Sequence, residues 1–177
     1  MNIYLMRHFE VDFNWDKKYT SEEFKLACKK YDQSGIIHQN IEFDTNNIQI
    51  YTSELIRSHL TYKSLKTNQS TYKTSLINEV PITPFINTKY KIPTSLWMVI
   101  GRLQWYLNIK TQPEIKNDTL HKITLLISQL EKANKNTLII GHGFYFSQLK
   151  KILKRKNYSG NSKNYYKNGE IIKFSKI

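Results

Sequence analysis

Four short segments of this sequence carry residue types able to handle an anionic reactant: Arg7-His8, Ser53 to Arg57, Glu79, and Gly141-His142-Gly143. The chain has only four arginines and five histidines, and two of each fall in these segments. Attack on a phosphate ester needs a nucleophile, neutralisation of charge on the group attacked, and a proton for the leaving oxygen. A neutral His8 imidazole can supply the first. Arg7 and Arg57 offer planar donor forks matched to phosphoryl oxygens. His142, if protonated, adds another donor. Gly143 permits close backbone approach, and the amino end of a helix after it is a natural anion site. A lone histidine beside a strand is more often structural, and a lone arginine in a first helical turn usually faces solvent. Their joint placement is what points to chemistry.

The elements that must position these groups can be read from periodicity. Residues 2–6 form an apolar run fit for a buried strand that ends on Arg7 and His8. Ser21 can cap a helix with Phe24, Cys28 and Tyr31 on one face, and a second strand is expected at 48–51, with Ser53 capping the helix behind it. Residues 75–77 read as a weak third strand, with Pro81 and Pro84 breaking regular structure beyond it. Thr94 opens a helix with Leu96, Trp97, Ile100, Leu103 and Leu107 on one side; Asp118 opens another with Leu120, Ile123, Ile127 and Leu130 in phase. The latter runs into an apolar strand at 138–140, which Gly141 ends, and 144–156 reads as helix. Asn168-Gly169 between Tyr/Ile-rich runs signals a closing hairpin. Strands alternating with helices predict an α/β three-layer sandwich, its central sheet mainly parallel and helices on both faces. Ligands in such sheets bind at the carboxyl ends of strands, where all four segments lie.

The 177 residues are about one ordinary domain, with 40% hydrophobic and 13% aromatic residues to fill a core. A single domain over 1–177 is therefore expected. Cys28, the one cysteine, can form no internal disulfide, and no apolar run approaches the roughly 20 residues of a membrane span. A cytoplasmic setting is the expectation. The net charge of +13 is nearly all lysine, scattered along the chain without a recognition-helix or base-stacking pattern. It reads mostly as a solvated surface, with the remainder available for anions, so nucleic acid is disfavoured as a partner.

The stretch "LMRHFEVDFN" resembles the Arg-His-Gly signature that opens the histidine phosphatase superfamily, which includes the cofactor-dependent phosphoglycerate mutases. Three further segments agree in order: "YTSELIRSHLTY" resembles the family's Ser-x-Leu-x-Arg-x-x-x-Thr helix start, "LINEV" sits at its acidic residue, and "LIIGHGF" is similar to its second-histidine motif. The resemblance spans residues 2 to about 150. It implies a phosphatase hydrolysing phosphate monoesters through a phosphohistidine on His8, without cofactor or metal. By resemblance Glu79 is the acid for the leaving group and then the base for water, with Glu42, Glu54 and Glu10 as rival carboxylates. Asn14 and Ser53 match positions that assist phosphate binding in some relatives, beside Arg7, Arg57, His142 and Gly143. Residues 85–115 fall in the stretch that covers the site in this family, here as a lid-like insertion carrying Trp97, Lys91 and Arg102.

The family's glycine after the nucleophile is Phe9 here. Were a positive φ required, the aromatic would be strained; with an ordinary φ it can point into the core or wall the pocket. The glycines after the acidic residue are also missing, as "EVPITPF" shows. A phosphatase acting on a small phosphorylated metabolite or a phosphoprotein is the first reading. A phosphoglycerate-type mutase is the second, disfavoured because the chain has little room for extra lid elements. An inactive basic module that binds anions or nucleic acid is the third.

Overall fold

Burial alternates along the first strand, and the layering follows from that. The computed structural model describes residues 1–161 and 166–177. In β1 (Asn2–Arg7), Ile3 and Leu5 face one side while Tyr4 and Met6 face the other, and both sides are covered. Such a strand belongs in the interior of a sheet flanked on two faces. The chain continues through β2 (Lys18–Tyr19), α1 (Ser21–Gln33), β3 (Gln49–Thr52), α2 (Ile56–Lys63) and β4 (Thr71–Lys73). Then come β5 (Ile92–Pro93), α3 (Thr94–Tyr106), α4 (Lys116–Ala133), β6 (Thr137–Gly141), α5 (Gly143–Arg155), β7 (Tyr158–Gly160) and β8 (Ile171–Lys176).

Among the described residues one sheet has the order β4-β3-β6-β1-β8-β7. Its β4, β3, β6 and β1 are parallel; β8 runs antiparallel to β1, and β7 antiparallel to β8. On one face α4 and α5 pack Ile123, Leu126, Ile127, Tyr145, Phe146 and Leu149 onto Ile3, Leu5, Ile139 and Phe174. Each such buried side chain contributes roughly 1.5–3 kcal/mol. On the other face α2 and the segment before β3 cover Met6, Ile50, Leu138 and Ile140. A third cluster joins α1 to α3, where Phe24 stacks on Trp97 at 5.4 Å between ring centres. The three-layer α/β architecture expected from the sequence is the one observed.

Several local expectations are corrected. Thr20, not Ser21, caps α1: its hydroxyl accepts from Glu23 N while the Glu23 carboxylate accepts from Thr20 N. Ser21 instead donates inward to Asn87 Oδ1 and Thr88 O. The third strand is β4, and Ser75–Ile77 is a 3-10 turn capped by Thr74. As a polar edge strand, β4 has no apolar alternation to betray it. Helix α2 begins at Ile56, and Ser53 turns inward rather than capping it. The buried stripe of α3 is Trp97, Gly101 and Trp105, leaving Leu96, Leu103 and Leu107 exposed. Gly101 is what allows this, because a Cβ there would stand 2.7 Å from Ile82 Cδ1. Helix α4 begins at Lys116, so Asp118 lies within its first turn, where its carboxylate accepts from Ile115 N. Gly169 takes φ +76° in a turn closed by Glu170 N on Lys167 O, but among the described residues the antiparallel partner of β8 on that side is β7, not the residues directly before Asn168. The preceding arm partly lies in 162–165, outside the described residues.

Candidate active site

Strand register brings the motif segments together. Arg7 lies opposite Gly141 and Thr52 opposite Ile140, so β1, β3 and β6 release His8, Ser53 and His142 side by side. His8 N donates to Gly141 O at 2.9 Å, which fixes the first residue beyond the strand. A cavity of about 570 Å³ opens at this edge, and its lining includes Arg7, His8, Arg57, Glu79 and Gly143.

His8 is only 3% exposed. Its Nδ1 stands 2.6 Å from Phe9 O, and because a carbonyl can only accept, Nδ1 carries the proton. The lone pair is thereby on Nε2. Burial, then the field of Arg57, pushes the His8 pKa down to about 3, with Arg7 adding to the effect and the Phe9 hydrogen bond opposing it. The ring is neutral over the whole physiological range, which is the form a nucleophile needs.

Behind it runs a buried relay. Arg57 Nε donates to His142 Nδ1 at 3.3 Å, so Nε2 of that ring bears the hydrogen and donates to Ser53 Oγ at 2.7 Å. Ser53 Oγ in turn donates to Ser58 Oγ at 2.9 Å. His142 is fully buried, and burial followed by the charge of Arg57 pushes its pKa well below the ordinary value. It tilts against His8 at 5.1 Å between ring centres but does not itself line the cavity. Neutral and with both nitrogens engaged, His142 here orients Arg57 rather than presenting a charged donor. Arg57 also donates from Nη1 to Asp32 Oδ1 at 2.7 Å and lies over the Tyr31 ring.

Arg7 reaches Tyr166 O at 2.6 Å through Nη1, and Gly143 leaves room for it: a Cβ there would stand 3.2 Å from Arg7 Nε. The C-terminal turn holds the same corner, with Gly169 N donating to Arg7 O, Arg7 N to Glu170 O and Asn168 Nδ2 to His8 O. Glu79 accepts from Tyr145 N at 3.0 Å, Phe144 N at 3.3 Å and Val80 N at 3.0 Å. It occupies the amino end of α5, the place expected for phosphate, where free N–H groups and the helix dipole favour a carboxylate. Its rivals lie elsewhere: Glu10, Glu42 and Glu54 are exposed and absent from this lining. Asn14 is also exposed and is not brought to the cavity. Phe9 is fully buried beside Met6, Ile50 and Leu138, without a positive φ, and its N–H is held by Thr61 Oγ1. The aromatic therefore replaces the glycine without strain by pointing into the core.

Two cavity groups, Asp32 and Tyr31, escape the sequence reading. Asp32 follows the Phe24/Cys28/Tyr31 face directly and carries no local signal of its own. Tyr31 was taken for core. Arg102, expected on the 85–115 insertion, lines the cavity together with Met98, four residues earlier on the same helix. Lys91 does stay outside, paired with Glu23. Burial pushes the Cys28 thiol up to about 12, so it stands in the lining as an unreactive thiol. Among the described residues no three metal-ligating side chains gather into a site, and no helix is long and apolar enough to cross a membrane.

No family model and no curated protein matches the sequence. The fold does match solved structures. A mycobacterial glucosyl-3-phosphoglycerate phosphatase is similar with TM-score 0.59 and 13% identity, over 98% of this chain and 89% of that one. The alpha-ribazole phosphatase of Shigella flexneri gives 0.56 and 17%, over 86% and 79%. This is the histidine phosphatase fold. A phosphoserine phosphatase of Entamoeba histolytica, solved with 3-phosphoglyceric acid, shares that histidine phosphatase fold at 0.55 and 15%, over 97% and 89%. With identities this low, the likeness is one of fold.

Proposed function

We propose that this protein hydrolyses phosphate monoesters through a phosphohistidine on His8, acting on a small phosphorylated substrate. The observation that carries the reading is the state of His8: buried, neutral, and with Nδ1–H tied to Phe9 O so that Nε2 holds the lone pair at a cavity whose lining includes Arg7 and Arg57. Nε2 attacks phosphorus as the ester P–O bond breaks, and the leaving oxygen takes its proton from Glu79, which enters this step as the carboxylic acid and leaves it as the carboxylate. Water then attacks the phosphohistidine, giving its proton to Glu79 and releasing phosphate and neutral His8. Arg7 and Arg57 neutralise the phosphoryl oxygens as charge moves onto them. With that charge supplied by side chains, the reaction needs no metal, and EDTA is expected to leave the rate unchanged; loss of activity restored by added magnesium or manganese would contradict this.

Within this reading, residues 85–115 wall the cavity as part of the single domain: α3 is tied down by Trp97 Nε1 donating to Tyr19 O. A reducing, cytoplasmic setting suits the one unpaired cysteine. Rapid-quench labelling tests the mechanism. An acid-labile, base-stable phosphoenzyme is expected in the parent and none in His8→Ala, with turnover abolished in the variant. Turnover by His8→Ala at the parental rate would remove the assignment.

A further inference from the structure

The cavity contains a cation that the hydrolytic step does not use. Arg102 projects from α3 into the lining that holds His8. Its guanidinium lies 3.9 Å over the Phe144 ring, and Nη1 donates to Val80 O at 2.9 Å. Both contacts place it beside Glu79, which precedes Val80 and accepts from Phe144 N. In the proposed reaction that is the side of the leaving group. The stacking and the single hydrogen bond fix the guanidinium plane while leaving further N–H groups for an acceptor.

Among the described residues no carboxylate lies within ion-pair distance of Arg102. Of the carboxylates in the lining, Asp32 is paired with Arg57, Glu79 is held by N–H groups of Val80 and α5, and Glu114 is neutralised by Lys122 at 2.6 Å and bonded by Thr119. Burial pulls the Arg102 pKa below the usual arginine value, against the opposing fields of Glu79 and Glu114, neither of which is in ion-pair contact with it. A desolvated cation without a paired anion is costly, and an anionic ligand offsets that cost. The cavity volume of about 570 Å³ falls within the range for small organic ligands and exceeds what a phosphoryl group alone would fill. Trp15, Ile82 and Met98 supply apolar wall for the rest of such a molecule.

We propose that Arg102 recognises a second anionic group, carried on the leaving alcohol, so that the preferred substrates are small phosphate esters bearing a carboxylate or a second phosphate. The assignment of ends rests on the phosphatase reading, with the phosphoryl group at His8 and the second anion at Arg102.

Calorimetric titration with phosphonates, which are not hydrolysed, tests the idea apart from turnover. Two matched pairs are used: methylphosphonate against phosphonoacetate, and phenylphosphonate against 4-carboxyphenylphosphonate. Methylenediphosphonate in place of phosphonoacetate distinguishes a second phosphoryl group from a carboxylate. In the parent, at least one doubly anionic ligand is expected to bind about tenfold more tightly than its partner, the effect of one charge-assisted contact. That ratio is expected to collapse towards one in Arg102→Met and to be partly restored in Arg102→Lys. A ratio near one in the parent for every pair overturns the proposal, even if the variants fail to fold; so does a ratio that survives in Arg102→Met. Loss of the phosphoenzyme assignment would leave the ratio untouched, so the two readings fail separately.

Discussion

Replacing His8 by glutamine is expected to flatten the acid side of the stability curve. In the folded protein burial and the charge of Arg57 hold the imidazole at about 3, against 6.5 in the unfolded chain. Between those values the unfolded state binds a proton that the folded state does not. Stability therefore rises with pH across this window and is lost as pH falls through it. From pH 7 to pH 5 the loss from this one group is the 1.5 units below 6.5 multiplied by 1.36 kcal/mol, or about 2 kcal/mol. His142, pushed down by burial, adds loss of the same sign and remains in the variant. Glu23 and Glu131 have lowered pKa values, so their contribution is present above the ordinary 4.5 and is lost only at lower pH; they do not enter this interval. Urea unfolding of parent and His8→Gln at pH 7 and pH 5, with equal m-values, isolates the difference. The parent is expected to lose about 2 kcal/mol more than the variant. Equal losses would refute a buried neutral His8, and with it the free lone pair on which the mechanism depends.

Glu79→Gln sets an amide N–H₂ against the N–H groups of α5, so a loss of about 1–3 kcal/mol in stability is expected; turnover of alkyl phosphates should fall far more than that of activated aryl phosphates, and equal slowing of both would reduce Glu79 to a cap. Asp32→Asn removes an anion that competes for Arg57. The Asp32 side chain is 52% exposed, so the pair contributes at most about 1 kcal/mol and Tm hardly moves. Vanadate inhibition is expected to tighten, while weaker inhibition would assign Asp32 to orienting Arg57. Phe9→Gly, which restores the family residue, is expected to cost about 3–5 kcal/mol because the ring is fully buried; an unchanged denaturation midpoint would show that the ring is not core.

The strands that carry the site were legible because each is an apolar run ending abruptly in charged or glycine residues, as at Met6-Arg7 and Ile140-Gly141. Their order was not, since periodicity reports which faces are buried and says nothing of neighbours. Asp32 meets Arg57 across 25 residues, and no local pattern encodes that pairing. Glu79 was located by resemblance, but its three N–H partners come from its neighbour and from α5, so its place at the helix end emerged only in three dimensions. The α3 stripe misled for another reason. Hydrophobicity ranks Leu96 and Leu103 as core, whereas the volume available under α3 is set by Gly101 against Ile82 and is filled by two indoles.

The turn that leads into β8 gives the order of synthesis a hold over the chemistry. All four motif segments leave the ribosome before it, and β4, β3, β6 and β1 can in principle pair among themselves. Yet the nucleophile's corner is tied by Tyr166, Asn168, Gly169 and Glu170, across separations of 159 residues for the Arg7 side chain on Tyr166 O and 160 for the Asn168 side chain on His8 O. Contacts so distant along the chain form late, because loop closure must be met before they reward it. On the proposed reading, a nascent chain thus carries the reactive groups before it has the geometry that lets them act, and competence waits for the turn into β8.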